Sequence, residues 1–168
     1  MIHINSVKGV CDVDNHEAER PESIELPTLD GFKDCTCFNL RKGMRVITQL
    51  FDNAMRSINL RGTQYTLLVL VLALGPISVS KLAEEMVTDR TTLSRNLEPM
   101  RRSGLIKIGR GEDRRTRIVK ITDSGRKKLE EAFPIWKKTQ DEIKTKLGAQ
   151  SWGSMMTSLS ELVNRIRL

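Results

Sequence analysis

Between Ser78 and Ile121 the chain passes through a run of local signals in an order that few folds can accommodate. Ser78 can cap a short helix through Met86, with Val79, Leu82, Ala83 and Met86 on its inward face. A brief Val87–Thr88 connection leads to a second helix, about Asp89 to Ser103, in which Leu93, Leu97 and Met100 form the buried stripe. Asp89 or Thr88 supplies an oxygen acceptor at the positive end of that helix. Pro99 should weaken it near its far end, because proline lacks an N–H and crowds the preceding turn. Gly104 closes it. Leu105–Ile108 and Arg117–Ile121 then read as two short strands around a polar, glycine-containing tip, Gly109 to Arg114.

Short helix, turn, helix and β-hairpin is the order of a winged helix-turn-helix. The flanking sequence is helical. From Cys35 to about Asn59, Leu40, Met44, Ile47, Phe51, Ala54 and Ile58 recur at intervals of three and four, and Val46 and Leu50 widen the stripe. Arg61–Gly62 interrupts it, and Thr63–Leu74 is nearly all apolar, a buried helix stopped by Gly75–Pro76. A long helix starts at Thr122 or Asp123 and runs to about Leu147, with Pro134 as a point of bending. The last, about Ser151 to Arg167, carries Trp152, Met155, Met156, Leu159, Leu162, Val163 and Ile166, a wide stripe for the end of a small chain. The expected class is therefore mainly α with a small β-wing (α+β). Residues 1–34, with Pro21 and Pro27 and no sustained periodicity, read as an extension outside the core.

Charge singles out the same region. The net charge is +7, but residues 1–34 carry −5 and residues 89–128 carry +8 in forty positions. Such an excess attracts a polyanion, although a solvated basic surface has the same composition. Aromatic residues are only 4% of the chain, too few for a platform that stacks single-stranded bases. The longest apolar run, Leu67–Leu74, is too short to span a bilayer, and no basic-then-apolar leader opens the sequence, so a cytoplasmic protein with no membrane partner is expected. No nucleotide loop, Ser-His-Asp set or acidic metal cluster is evident, and the only histidines, His3 and His16, precede the core; neither an enzyme nor a cofactor is expected.

A helix-turn-helix lays its second helix in the major groove, with residues near its start reaching base edges. The exposed positions here are Arg90, Thr91, Thr92, Ser94, Arg95 and Asn96. Arginine can grip guanine with two hydrogen bonds, asparagine can do so with adenine, and serine or threonine can serve base or phosphate. The hairpin concentrates Arg110, Arg114, Arg115 and Arg117, where a wing would enter the adjacent minor groove. Asp113 among them fits two roles: a carboxylate orienting Arg115 through a bidentate pair, or a turn residue.

At this point the sequence resembles the MarR family of transcription regulators, over about Cys35 to Leu168. The resemblance rests on LRGTQYTLLVLVLALGPISVSKLAEEMVTDRTTLSRNLEPMRRSGLI (60–106) and GEDRRTRIVKITDSGRKKL (111–129). The second segment holds the family's wing signature, Asp-x-Arg followed by a strand and Leu-Thr, here Asp113-x-Arg115 and Ile121-Thr122. The resemblance implies a homodimer whose terminal helices interlock and whose two recognition helices meet a pseudopalindromic operator in double-stranded DNA. It divides the chain into an acidic extension (1–34), an N-terminal dimerisation helix (35–59), a DNA-binding domain (60–123) and C-terminal dimerisation helices (124–168). It also assigns base contacts to Thr91, Thr92, Ser94, Arg95 and Asn96, and the minor groove to Arg115 with Asp113 as its partner.

Many members of the family release DNA in response to a small molecule or an oxidant. The candidate redox sensor is Cys35-Thr36-Cys37, because a helix N-terminus, with Arg41 one turn away, favours thiolate. Cys37-Phe38 is similar to the sensing segment of the organic-hydroperoxide branch, but Arg41, Phe51 and Gly62 stand where that branch has tyrosines. The other reading of these cysteines is small buried residues at an interface. Cys11, Cys35 and Cys37 lack zinc-finger spacing, and no metal is expected. The function expected is a sequence-specific dimeric repressor relieved by such a signal; the alternative is an architectural protein that coats DNA without sequence preference.

Overall fold

The computed structural model describes residues 29–113 and 115–166. Most of the expected extension therefore lies outside the described residues, as do His3, Cys11, His16 and Arg114. The chain divides into two units, residues 1–39 and 40–168. The described part of the first holds a one-turn helix, α1 (Leu29–Phe32), within the stretch read as an extension outside the core. Its Phe32 ring packs against Phe38, with centroids 5.0 Å apart.

Helix α2 (Thr36–Ala54) ends earlier than its periodicity suggested. One 3-10 turn, Arg56–Ile58, follows, and Asn59 takes a left-handed φ of 52° that its short polar side chain tolerates. Helix α3 (Gly62–Ala73) is anchored at its start by the Gly62 N–H, which donates to the Asp52 carboxylate at 2.8 Å. It buries Tyr65, Leu67, Leu68 and Val71, but Val69, Leu72 and Leu74 stay exposed. Its nearly all-apolar composition had suggested a buried helix; the core covers one face only.

A two-residue strand, β1 (Ile77–Ser78), precedes α4 (Val79–Glu85), whose Ser78 cap accepts the Lys81 N–H at 3.1 Å. The next turn bends through Val87 at φ 49°, an unusual conformation for a β-branched residue. Helix α5 (Arg90–Arg102) then starts under the Asp89 cap. Pro99 does not end it. The helix runs through to Arg102, because the missing N–H costs one bond in the last turn, and the Pro99 carbonyl accepts from Ser103 at 2.9 Å. Gly104, at φ 72°, closes a Schellman motif: Gly104 N–H donates to Arg101, and Leu105 N–H to Met100.

Strands β2 (Ile106–Arg110) and β3 (Arg117–Ile121) pair antiparallel, and β1 joins the far side of β3, giving the order β1-β3-β2. Helix α6 (Asp123–Leu147) is capped by Thr122, whose hydroxyl oxygen accepts the Gly125 N–H at 3.0 Å. It continues through Pro134 as a single helix and leads by Gly148 into α7 (Ala149–Ile166). Leu67, Leu68, Leu82, Leu93, Leu97, Met100, Ile106 and Val119 form the sealed centre, drawn from α3, α4, α5 and the sheet. In contrast, neither α2 nor α7 buries a residue; Met44, Val46, Leu159, Val163 and Ile166 face solvent.

Candidate nucleic-acid interface

Leu93, Leu97 and Met100 hold α5 against the core, which turns the opposite face outward. Arg90, Thr91, Thr92, Arg95 and Asn96 are exposed there, and Ser94 is half-buried. Thr92 has a second task. Its N–H donates to one Asp89 carboxylate oxygen at 2.8 Å and its hydroxyl to the other at 2.6 Å. Those bonds hold the Asp89 carboxyl below its usual range, and they leave the Thr92 oxygen only as an acceptor.

The wing differs from expectation in two places. Arg110 is not at the tip: β2 runs two residues further than expected, and Arg110 pairs directly across from Arg117. Three residues back along the ladder, and so on its other face, Lys107 sits opposite Lys120. Like charges directly opposite destabilise a ladder, so each pair weakens the hairpin that carries it. Asp113 does not grip the Arg115 guanidinium. Its carboxylate accepts the Arg115 backbone N–H at 3.0 Å, while its carbonyl accepts from Thr116 at 2.8 Å. A side chain this short reaches the N–H two residues on more easily than a long guanidinium folds back to it, so Asp113 shapes the tip as a turn residue. The Arg115 side chain is exposed.

A groove of about 480 Å³ separates α5 from the wing. Thr91, Ser94, Arg95, Glu98 and Arg102 line it from α5 and Ile108 and Arg117 from the wing. Glu98 accepts from Arg101 through Nε at 2.9 Å and Nη2 at 2.7 Å, and from Arg102 Nε at 3.0 Å. Those three bonds hold its carboxyl down to about 2. This cluster was missed in the sequence, although Glu98-x-x-Arg101-Arg102 has the i, i+3 and i, i+4 spacing that brings helical side chains together.

Cys35 lies just ahead of α2, half-buried, and its carbonyl accepts the Asn39 N–H at 3.0 Å; Cys37 is exposed in the first turn. Both are free thiols. Among the described residues no group of three or more His, Cys, Asp or Glu could hold a metal ion, and no helix is long and apolar enough to cross a membrane.

The model of the MarR family matches residues 60–116, from just before α3 to the wing tip, ending ahead of β3. The organic hydroperoxide resistance transcriptional regulator of Bacillus subtilis is 30% identical over 100 residues, which cover 59% of this chain and 68% of that protein. The transcriptional regulator MosR of M. tuberculosis, solved in complex with DNA, is 32% identical with a TM-score of 0.70, covering 80% of this chain and all of that one. A mutant MarR from E. coli complexed with operator DNA shares the fold at a TM-score of 0.70 and 17% identity, over 78% of this chain and 96% of that one.

Proposed function

The chain belongs to the MarR family of transcriptional regulators, and from that premise we propose that it is a dimeric, sequence-specific repressor whose DNA contacts come from α5 and the wing. The observation that carries this reading is the division of α5 into a sealed apolar face and a face of arginine, threonine, serine and asparagine. A protein that only coats DNA needs the cations; it does not need amide and hydroxyl groups at the start of a helix made to enter the major groove. Arg90, Thr91, Ser94, Arg95 and Asn96 take base edges or the adjacent phosphates, and Thr92 contributes through the cap. Arg115 takes the minor groove from a tip shaped by Asp113, while Arg110 at the end of β2 and Arg114, its neighbour in sequence, add to the positive charge of the wing.

The uncovered stripes on α2 and α7 support a second copy of the chain as partner. A twofold dimer presents two recognition helices to half-sites about one helical turn apart. Bound over a promoter, such a dimer excludes polymerase. The B. subtilis relative is named for organic hydroperoxide resistance, and Cys37, exposed in the first turn of α2, is the residue through which an oxidant would relieve repression.

Selection of bound duplexes from a random-sequence pool tests the proposal. It expects enrichment of an inverted repeat with that half-site spacing. A pool that stays random after repeated rounds contradicts it and leaves the architectural reading.

A further inference from the structure

When a helix occupies the major groove and a wing the neighbouring minor groove, the phosphodiester strand dividing the two grooves must run between them. In this chain that space is the groove between α5 and the wing, so the inference below rests on the DNA reading proposed above. Arg95, Arg102 and Arg117 line the groove, but so does Glu98, the one acidic residue on its wall among the described residues. A carboxylate facing the path of a phosphate strand is opposed to binding, and recognition of bases gives it no evident use.

From this geometry we propose that Glu98 lowers the sequence-independent part of DNA affinity by occupying Arg102, on the groove wall, and Arg101, its neighbour on α5. Both states of the cluster act in the same direction. With the pairs closed, three of the arginines' donor groups are engaged with Glu98 at 2.7 to 3.0 Å and are withheld from phosphate. With the pairs open, a bare carboxylate stands where the strand passes. The pairs are partly exposed, with the Arg101 and Arg102 side chains 47% and 75% accessible, so solvent leaves them within reach of an approaching duplex. Phosphate contacts supply most non-specific affinity, and each adds about 0.9 to the slope of log affinity against log salt. Two more contacts per subunit would strengthen binding to every sequence and hold the regulator on unselected DNA. Glu98 limits that.

The test uses the full chain and a short random-sequence duplex, titrated by fluorescence anisotropy between about 50 and 200 mM salt, the range over which phosphate contacts show most clearly. Glu98→Gln should bind this duplex about tenfold more tightly at the low-salt end, with a slope steeper by about 1 to 2 per subunit. Glu98→Asp, which keeps the charge, should stay with the wild type. Adding Arg101→Gln and Arg102→Gln to the Glu98→Gln chain should remove the gain. Binding of Glu98→Gln that is unchanged or weaker overturns the proposal and makes Glu98 a helper of the arginines; so does a gain that survives loss of both arginines. A wild-type chain that binds no duplex even at low salt overturns the DNA reading and this inference together.

Discussion

The Thr122 hydroxyl donates to the carbonyl of Gly104 at 2.6 Å, joining the residue that closes α5 to the residue that caps α6. The same oxygen lies 3.0 Å from the Leu105 carbonyl and accepts the Gly125 N–H at 3.0 Å, so one side chain serves both helix ends. Thr122→Val keeps the shape and removes these bonds. It should cost about 1 to 2 kcal/mol in urea denaturation, and Thr122→Ser should recover most of it.

Gly125 packs against the same joint. A Cβ there would stand 2.1 Å from the Leu105 carbonyl oxygen, a backbone atom that cannot rotate away. Gly125→Ala should therefore destabilise the fold by about 3 kcal/mol, the upper range for overpacking, measurable as a lower unfolding midpoint.

Much of this architecture is legible in the sequence. Leu93, Leu97 and Met100 mark the inward face of α5, and each is fully buried. The Ser78 cap follows from side-chain chemistry, whereas for α5 both Thr88 and Asp89 offered an acceptor, and Asp89 is the one that caps it. Strand β1 was not legible, because two residues have no period to read. The shifted end of β2 was not either: Gly109 and Arg110 look like a turn, and only pairing with Ile118 and Arg117 makes them strand. Asp113 was ambiguous for a different reason, since an Asx turn and a bidentate arginine pair use the same residue types two positions apart. The exposed half of α3 was hidden by composition, as Val69 and Leu72 are no less apolar than the buried Leu67 and Leu68.

Glu98 also makes a prediction in acid. Its carboxyl is lowered from 4.5 to about 2 by Arg101 and Arg102, so the folded state favours the ionised form. The stabilisation from this cluster is fully present above about pH 4.5 and is lost as pH falls toward about 2. Denaturation midpoints of the wild type and Glu98→Gln should differ near neutrality and converge in acid. A difference that grows on acidification contradicts the assignment.

The exposed stripes on α2 and α7 predict self-association. Met44 and Val163 are 66% and 44% exposed in the single chain, so a charge at either position costs the monomer's core little. Met44→Glu or Val163→Glu should leave the helical content intact and shift the dimer toward monomer in sedimentation velocity. A wild type that sediments as a monomer at all concentrations removes the dimer from the reading.

Arg95 is exposed on the outer face of α5 and lines the groove facing the wing. If it grips a guanine, Arg95→Ala should weaken binding by about 1 to 3 kcal/mol and relax preference at one base pair of each half-site. A loss spread evenly over all sequences would make it a phosphate contact instead.

The most direct test of sequence-specific reading is a competition titration, in which a selected duplex is displaced from the full chain by unselected DNA at fixed salt. Specific recognition predicts that unselected DNA must be in excess by a factor on the order of 10³ or more. Equal displacement by selected and unselected duplexes would contradict it, and would leave a basic winged helix that holds DNA without reading it.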